Sequence, residues 1–371
     1  MAVTQEQIYA GLDLDLSWSE RDLPERLRTK HVHRLHPYLG KYIPQLVEEL
    51  LRRHAPVRGH VLDPFAGSGT TLVQALESGL ESTGVDIAAF NCLLMRVKTT
   101  AHNPFILERE LRDALGRFER GEGKAGRANA YVTSWFAPQS RDDLLRFRSL
   151  ASDYEHADVL RVILARAARS ARLTTHFDLD FPSEPQAGPY WCHKHKRECR
   201  PIEHADHFLR RYTLDTLTRL KEFARVRSRR ATHVLHGDAR ELGLPGPFDA
   251  VVTSPPSPGL IDYHEQHRDA HELLGLDDRR EREIGAAARG TSKVALTAYT
   301  DGIAGVLGAC ATALRPRGRV VIVVNDRREL YPQILAQAGL VLEQRYQRHV
   351  NRRTGRRAGE YFEDVLVARR A

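Results

Sequence analysis

Cysteine is scarce. Cys92, Cys192, Cys199 and Cys310 are the only four in 371 residues, too few to staple a chain of this length and suited to a reducing cytoplasm. Long apolar runs are missing as well. No segment approaches the roughly 20 apolar residues of a membrane span, and the polar stretch from Met1 to Asp15 has no signal-peptide core. No membrane partner is therefore expected. Internal repeats and low-complexity tracts are absent too, so the chain reads as ordinary globular sequence.

The bulk composition agrees. With 42% hydrophobic residues the chain can bury a full core, and its length suits one large domain or a core carrying a big insertion. The formal charge of +8 and a pI near 9.4 favour a polyanionic partner, nucleic acid above all.

The chain is organised around Val61-Leu-Asp-Pro-Phe-Ala-Gly-Ser-Gly-Thr-Thr71. An apolar run from Val57 to Leu62 reads as a short buried strand. A glycine turn follows, and Leu72, Val73 and Leu76 then recur at helical spacing. Gly67 and Gly69 allow a tight turn and a close approach of backbone to ligand. No lysine follows the second glycine, which excludes a phosphate loop of the Walker type. Upstream, Pro44 can open a helix whose Ile43, Leu46, Val47 and Leu50 share a face, with Tyr38 to Lys41 just before it. Downstream, Glu81 to Asp86 reads as a second strand ending in an acid, at about the offset where doubly wound folds place a ribose-binding carboxylate. The other reading of Asp86 is an N-cap for a helix from Ile87 to Val97.

Strand-helix alternation stops from about residue 100 to 230. Helices with basic faces are expected over Asp158 to Arg172 and His207 to Val226, with Trp135, Phe136, Phe177, Phe181, Tyr190 and Trp191 interleaved, a composition that suits phosphates and stacked bases. Within it lies Cys192-His-Lys-His-Lys-Arg-Glu-Cys199. Two thiols and two imidazoles in eight residues invite a zinc reading on Cys192, His193, His195 and Cys199. The spacing is not the paired one of a usual zinc finger or ribbon, however, and the adjacent Cys192 and His193 point apart. The default reading is a basic loop with no metal, and zinc stays the alternative. Alternation resumes with strands at Thr232 to Asp238, Phe248 to Pro256 and Arg319 to Asn325. Two more strands, Val341 to Val350 and Tyr361 to Ala368, should pair as a hairpin across the polar turn from Asn351 to Arg357. The expected organisation is an N-terminal arm with the first half of a cofactor-binding core (1–99), a basic helical insertion (100–230) and the second half of the core with the catalytic motif (231–371).

Asp63-Pro-Phe-Ala-Gly-Ser-Gly-Thr-Thr71 together with Thr253-Ser-Pro-Pro256 resembles the S-adenosylmethionine-dependent amino-group DNA methyltransferases. A serine before the Pro-Pro pair is similar to the N4-cytosine type, and His36 to Lys41 is similar to the family's N-terminal motif. The resemblance spans residues 31–99 and 232–369. It implies a Rossmann-like α/β fold, with a mostly parallel seven-stranded sheet, a C-terminal antiparallel hairpin and a largely helical insertion that serves target recognition. It also implies that Asp63, Lys41 and the turn of Phe65, Ala66, Gly67, Gly69 and Thr70 hold the methionine end of the cofactor. Asp86 would take the ribose hydroxyls and Asp238 the adenine amino group. Ser254, Pro255 and Pro256 would form the catalytic motif facing the target base.

Where the family pattern has an aromatic residue to stack on a flipped base, this chain has Ser257, and Tyr263 or His264 could supply the ring instead. The readings left open are transfer to cytosine N4 of DNA, transfer to adenine N6 or an RNA base, and a nucleic-acid-binding relative that no longer transfers methyl groups. The oligomeric state is not legible. A restriction endonuclease is the partner such an enzyme would have.

Overall fold

The computed structural model describes residues 16–18, 23, 27, 29–176, 182–350 and 362–371. Most of the expected N-terminal arm, Phe177, Phe181, Tyr361 and the turn from Asn351 to Arg357 lie outside the described residues. In chain order the helices are α1 (Pro44–His54), α2 (Thr70–Glu77), α3 (Ala89–Thr99), α4 (Pro104–Glu119), α5 (Ala130–Trp135), α6 (Pro138–Ala151), α7 (Ala157–Ala171), α8 (Asp206–Val226), α9 (Tyr263–Gln266), α10 (Arg268–Leu274), α11 (Lys293–Ala313) and α12 (Tyr331–Gln337). The strands are β1 (His60–Asp63), β2 (Glu81–Asp86), β3 (Tyr190–Cys192), β4 (Arg197–Cys199), β5 (Thr232–His236), β6 (Phe248–Thr253), β7 (Leu314–Val324), β8 (Leu340–His349) and β9 (Phe362–Arg370). The described residues form two compact units, one up to Ile87 with Val226–Asp262 and Glu281–Ala371, the other of Ala88–Arg225 and Tyr263–Arg280.

The first unit is built on a seven-stranded sheet of order β5-β2-β1-β6-β7-β9-β8. β5, β2, β1, β6 and β7 run parallel, and β9 inserts antiparallel between β7 and β8. This is the Rossmann-like arrangement with a C-terminal hairpin. The strands alternate the faces they serve. Leu62, Val251, Val320, Ile322 and Leu366 pack beneath α11 and α12, while Val61, Val252, Val321, Val323 and Val365 pack with Leu46, Val47 and Leu50 of α1 on the other face. Near-continuous apolar runs in β6 and β7 are what a parallel sheet covered on both faces requires. Leu16 is buried with this second group, and its neighbour Ser17 accepts a hydrogen bond from His349 N at 3.1 Å.

Two expectations shift here. The first strand begins at His60, and Val57 is exposed, because Pro56 and Arg58 turn the chain before pairing starts. Among the described residues one helix, α11, is long and apolar enough by length and composition to cross a membrane. Its Tyr299, Ile303, Leu307 and Cys310 line the sheet core instead, so small and apolar residues serve helix-on-sheet packing.

The second unit is largely helical. α6 and α7 pack together, as do α7 and α10, which brings residues 263–280 into the same unit as the insertion. Phe118 meets Phe147 edge-on at 5.9 Å between centroids. Much of the basic face expected here is not solvated, since Arg166 and Arg169 of α7 and Arg172 at its C-terminal cap are all buried. Arg166 donates to Asp215 at 2.5 Å and Thr216 at 2.6 Å, and stacks over Tyr212 at 4.4 Å. Its guanidinium fastens α7 to α8.

Candidate active site

The chain reverses direction across the sheet at β1, which lies between β2 and β6. In open α/β sheets the crevice beyond the carboxyl ends of such strands is where ligands bind. Both sequence motifs end there. β1 closes on Asp63 and β6 on Thr253, in adjacent parallel strands.

Asp63 is the joint between them. It is buried, and its Oδ1 accepts from Thr253 Oγ1 at 2.7 Å and from Phe65 N at 3.1 Å. Its Oδ2 accepts from Thr71 Oγ1 at 2.5 Å and Tyr42 O–H at 3.2 Å. Burial pushes this carboxyl above the ordinary carboxylate range, and the four hydrogen bonds pull the other way. A carboxylate has about four acceptor sites, and here all are engaged within the protein. Asp63 thus shapes the glycine turn and couples it to β6.

The turn that it shapes is tight. Gly67 has φ +49° and Gly69 φ +80°, a left-handed backbone that other residues adopt at a cost. At Gly67 there is no room either, since an added Cβ would stand 2.6 Å from the Tyr38 hydroxyl oxygen. Gly69 is the N-cap of α2, with no side-chain cap on that end, so Thr70 and its neighbours present a helix N-terminus to the crevice.

Asp86 ends β2 and its Oδ2 accepts from Gly67 N at 2.8 Å. The N-cap reading of Asp86 falls away, because α3 begins at Ala89 with Ala88 as an N-cap that makes no side-chain bond. Lys41 donates to His33 O at 2.8 Å, and burial pulls its ammonium down to about 8. Asp238 is buried. Burial would raise its carboxyl, but Arg240 holds it low through a guanidinium fork whose shortest bond is 2.5 Å and through its own N–H at 3.0 Å.

After Thr253 the chain leaves the sheet as Ser254-Pro-Pro-Ser257, with Pro255 buried and Ser254, Pro256 and Ser257 half-buried. Tyr299 O–H on α11 donates to Pro256 O at 2.9 Å, and Tyr331 stands 3.3 Å behind it. Burial pushes the Tyr299 hydroxyl up to about 12, so it stays protonated as a donor. In the second unit Tyr263 is half-buried at the start of α9. His264 is buried and its Nε2 accepts from Arg279 N at 3.2 Å, which commits the ring to the interior.

The motif residues of the first unit are thus gathered at one end of the sheet. Sequence reasoning missed the groups that hold them: Tyr38 against Gly67, Tyr42 and Thr71 on Asp63, Arg240 on Asp238, and Tyr299 on Pro256. Thr71 and Thr253 lay inside the sequence motifs. Nothing local marked Tyr299, which lies 43 residues beyond the proline it supports.

The donor set fits S-adenosylmethionine. A cation at Lys41 suits its carboxylate, the α2 N-terminus offers N–H groups, and Asp86 at the end of β2 suits vicinal hydroxyls.

Comparison with known proteins agrees with this chemistry. The family model described as DNA methylase matches residues 15–95. The type II methyltransferase M.MjaII of Methanocaldococcus jannaschii is 33% identical, over 98% of this chain and 84% of its own. M.BsoBI of Geobacillus stearothermophilus is 24% identical over 70% of this chain and 56% of its own. Among solved structures, TrmN from Thermus thermophilus aligns with a TM-score of 0.40 at 13% identity, covering 93% of this chain and 53% of its own. The chain belongs to the amino-group DNA methyltransferases, whose methyl donor is S-adenosylmethionine.

Proposed function

We propose that the protein methylates the exocyclic N4 amino group of cytosine in DNA. The observation that carries the reading is the Thr253–Asp63 bond of 2.7 Å, which sets the Ser-Pro-Pro segment beside the glycine turn. When bound, S-adenosylmethionine supplies an electrophilic methyl group on a sulfonium. The protein's part is to bind, orient and polarise. Lys41, the turn from Phe65 to Thr70, Asp86 and Asp238 hold the cofactor, and Asp63 keeps the turn in shape.

An aromatic amino group is planar, with its lone pair delocalised into the ring. Ser254 Oγ and Pro255 O can each accept one of its N–H bonds, which favours a pyramidal nitrogen with a localised lone pair. The two prolines restrict the backbone, and Tyr299 fixes the next carbonyl. Acceptors held in advance cost no reorganisation when charge develops. In duplex DNA the cytosine must leave the stack first. The serine before the Pro-Pro pair supports cytosine N4 over adenine N6. A reducing cytoplasm and a restriction endonuclease of the same target sequence complete the reading.

Ser254→Ala tests the assignment. Removing one fixed acceptor should lower the transfer rate by about 10²–10³-fold while cofactor affinity stays within a few-fold. Unchanged transfer would remove Ser254 from the chemistry.

A further inference from the structure

The geometry points to a zinc site in the second unit, formed by His176, Cys192, His195 and Cys199, which we propose binds one zinc ion. The cysteines belong to a small antiparallel hairpin, β3–β4, with Tyr190 opposite Cys199 and Cys192 opposite Arg197. Lys196, at φ +51°, turns the chain so that His195 faces back toward Cys199. His176 arrives from the segment that follows α7, 16 positions before Cys192. Its backbone N–H donates to the Tyr190 hydroxyl oxygen at 3.1 Å, which fixes the residue against the hairpin. His193, exposed on the outer face, is not part of the group.

The separations are those of a tetrahedral site. Cys192 Sγ lies 3.5 Å from His176 Nδ1, and Cys199 Sγ lies 3.5 Å from His195 Nδ1. With zinc–sulfur bonds of about 2.3 Å and zinc–nitrogen bonds of about 2.0 Å, a tetrahedron has a sulfur–nitrogen edge of about 3.5 Å. One ligand atom from each of the four residues lies within 4.8 Å of every other, so a small contraction completes the coordination. Both cysteines are buried, although each strand of the hairpin has only three residues and Trp191 beside them is 61% exposed. An isolated two-stranded hairpin is marginal in water, and a metal is a common staple for so small an element. Two thiolates and two neutral imidazoles form a closed structural set, with no position left for a substrate.

The ion would fasten the segment leaving α7 to the hairpin preceding α8. It would hold in place an outer face that carries Trp191, Lys194, Lys196, Arg197 and Arg200, all exposed. This inference does not depend on which base is methylated.

The test uses the full chain, purified from zinc-supplemented culture. Elemental analysis should return about one zinc per chain. After chelation and reloading with cobalt, the spectrum should show tetrahedral d–d bands and thiolate-to-cobalt charge transfer. Cys192→Ser and Cys199→Ser should each halve that charge transfer. His195 is exposed, so His195→Ala spares the packing; it should lose the tetrahedral bands while circular dichroism shows a folded chain. Absence of stoichiometric metal, with Cys192 and Cys199 reactive as thiols or joined as a disulfide, would overturn the proposal. So would zinc that survives Cys192→Ser but is lost in His33→Ala, since that places it at His31, His33 and Glu77, the other group that could hold a metal among the described residues.

Discussion

The two units use their polar residues differently. In the first, carboxylates and hydroxyls hold backbone at the carboxyl ends of β1, β2 and β6. Asp63 takes four hydrogen bonds, and Asp86 takes one from the turn itself. In the second, buried arginines such as Arg166 tie helices together, while other cations face solvent, among them Arg197 on the hairpin, Arg211 and Arg225 on α8, and Arg109 and Arg112 on α4. Basic composition alone therefore does not identify a phosphate-binding face. Burial divides the arginines that build the fold from those that can meet a polyanion.

Substitutions whose effects fall on separate measurements put this division of labour at risk. Asp86→Ala should have the largest effect of these, weakening cofactor binding by about 10–100-fold, since a hydrogen bond to a charged group is worth about 1.5–3 kcal/mol. Titration calorimetry would read it, and an unaltered dissociation constant would limit Asp86 to bracing Gly67. Changing Lys194, Arg197 and Arg200 together to Gln should weaken DNA binding on the order of tenfold at physiological salt. The same change should flatten the salt dependence by roughly one in log–log slope for each phosphate no longer neutralised. Cofactor affinity should not move. If it does, the division between the units breaks down. Tyr299→Phe should be the mildest, lowering transfer a few-fold for the removal of a hydrogen bond of about 1 kcal/mol, with both binding constants retained. A rate equal to that of the native chain would mean the two prolines hold the segment without it.

How much of this was legible in the sequence follows from how far apart the cooperating residues lie. Glu81–Asp86, Phe248–Thr253 and Pro44–His54 could be read from periodicity and a proline at the first helical turn, because those signals are local. The glycine turn and the Ser-Pro-Pro segment were visible as motifs. Their connection through Asp63 and Thr253 was not, because it spans 190 positions and depends on β1 and β6 being neighbours. Arg166 was counted in a basic face suited to phosphates because a helical wheel cannot show that Asp215 and Tyr212 stand opposite it. The octapeptide from Cys192 to Cys199 looked wrong for zinc because the fourth member of the cluster, His176, belongs to a different segment, while the adjacent His193 took its place in the pattern. Strand pairing at β3–β4 resolves which histidine faces inward.

Methyl transfer to cytosine N4 is tested most directly by incubating the protein with labelled S-adenosylmethionine and either cytosine-containing or cytosine-free duplex DNA, then digesting the product to nucleosides. Label should appear in N4-methylcytosine, from the cytosine-containing duplex alone. Label in N6-methyladenine, or no product on any duplex while the cofactor is bound, would refute the assignment.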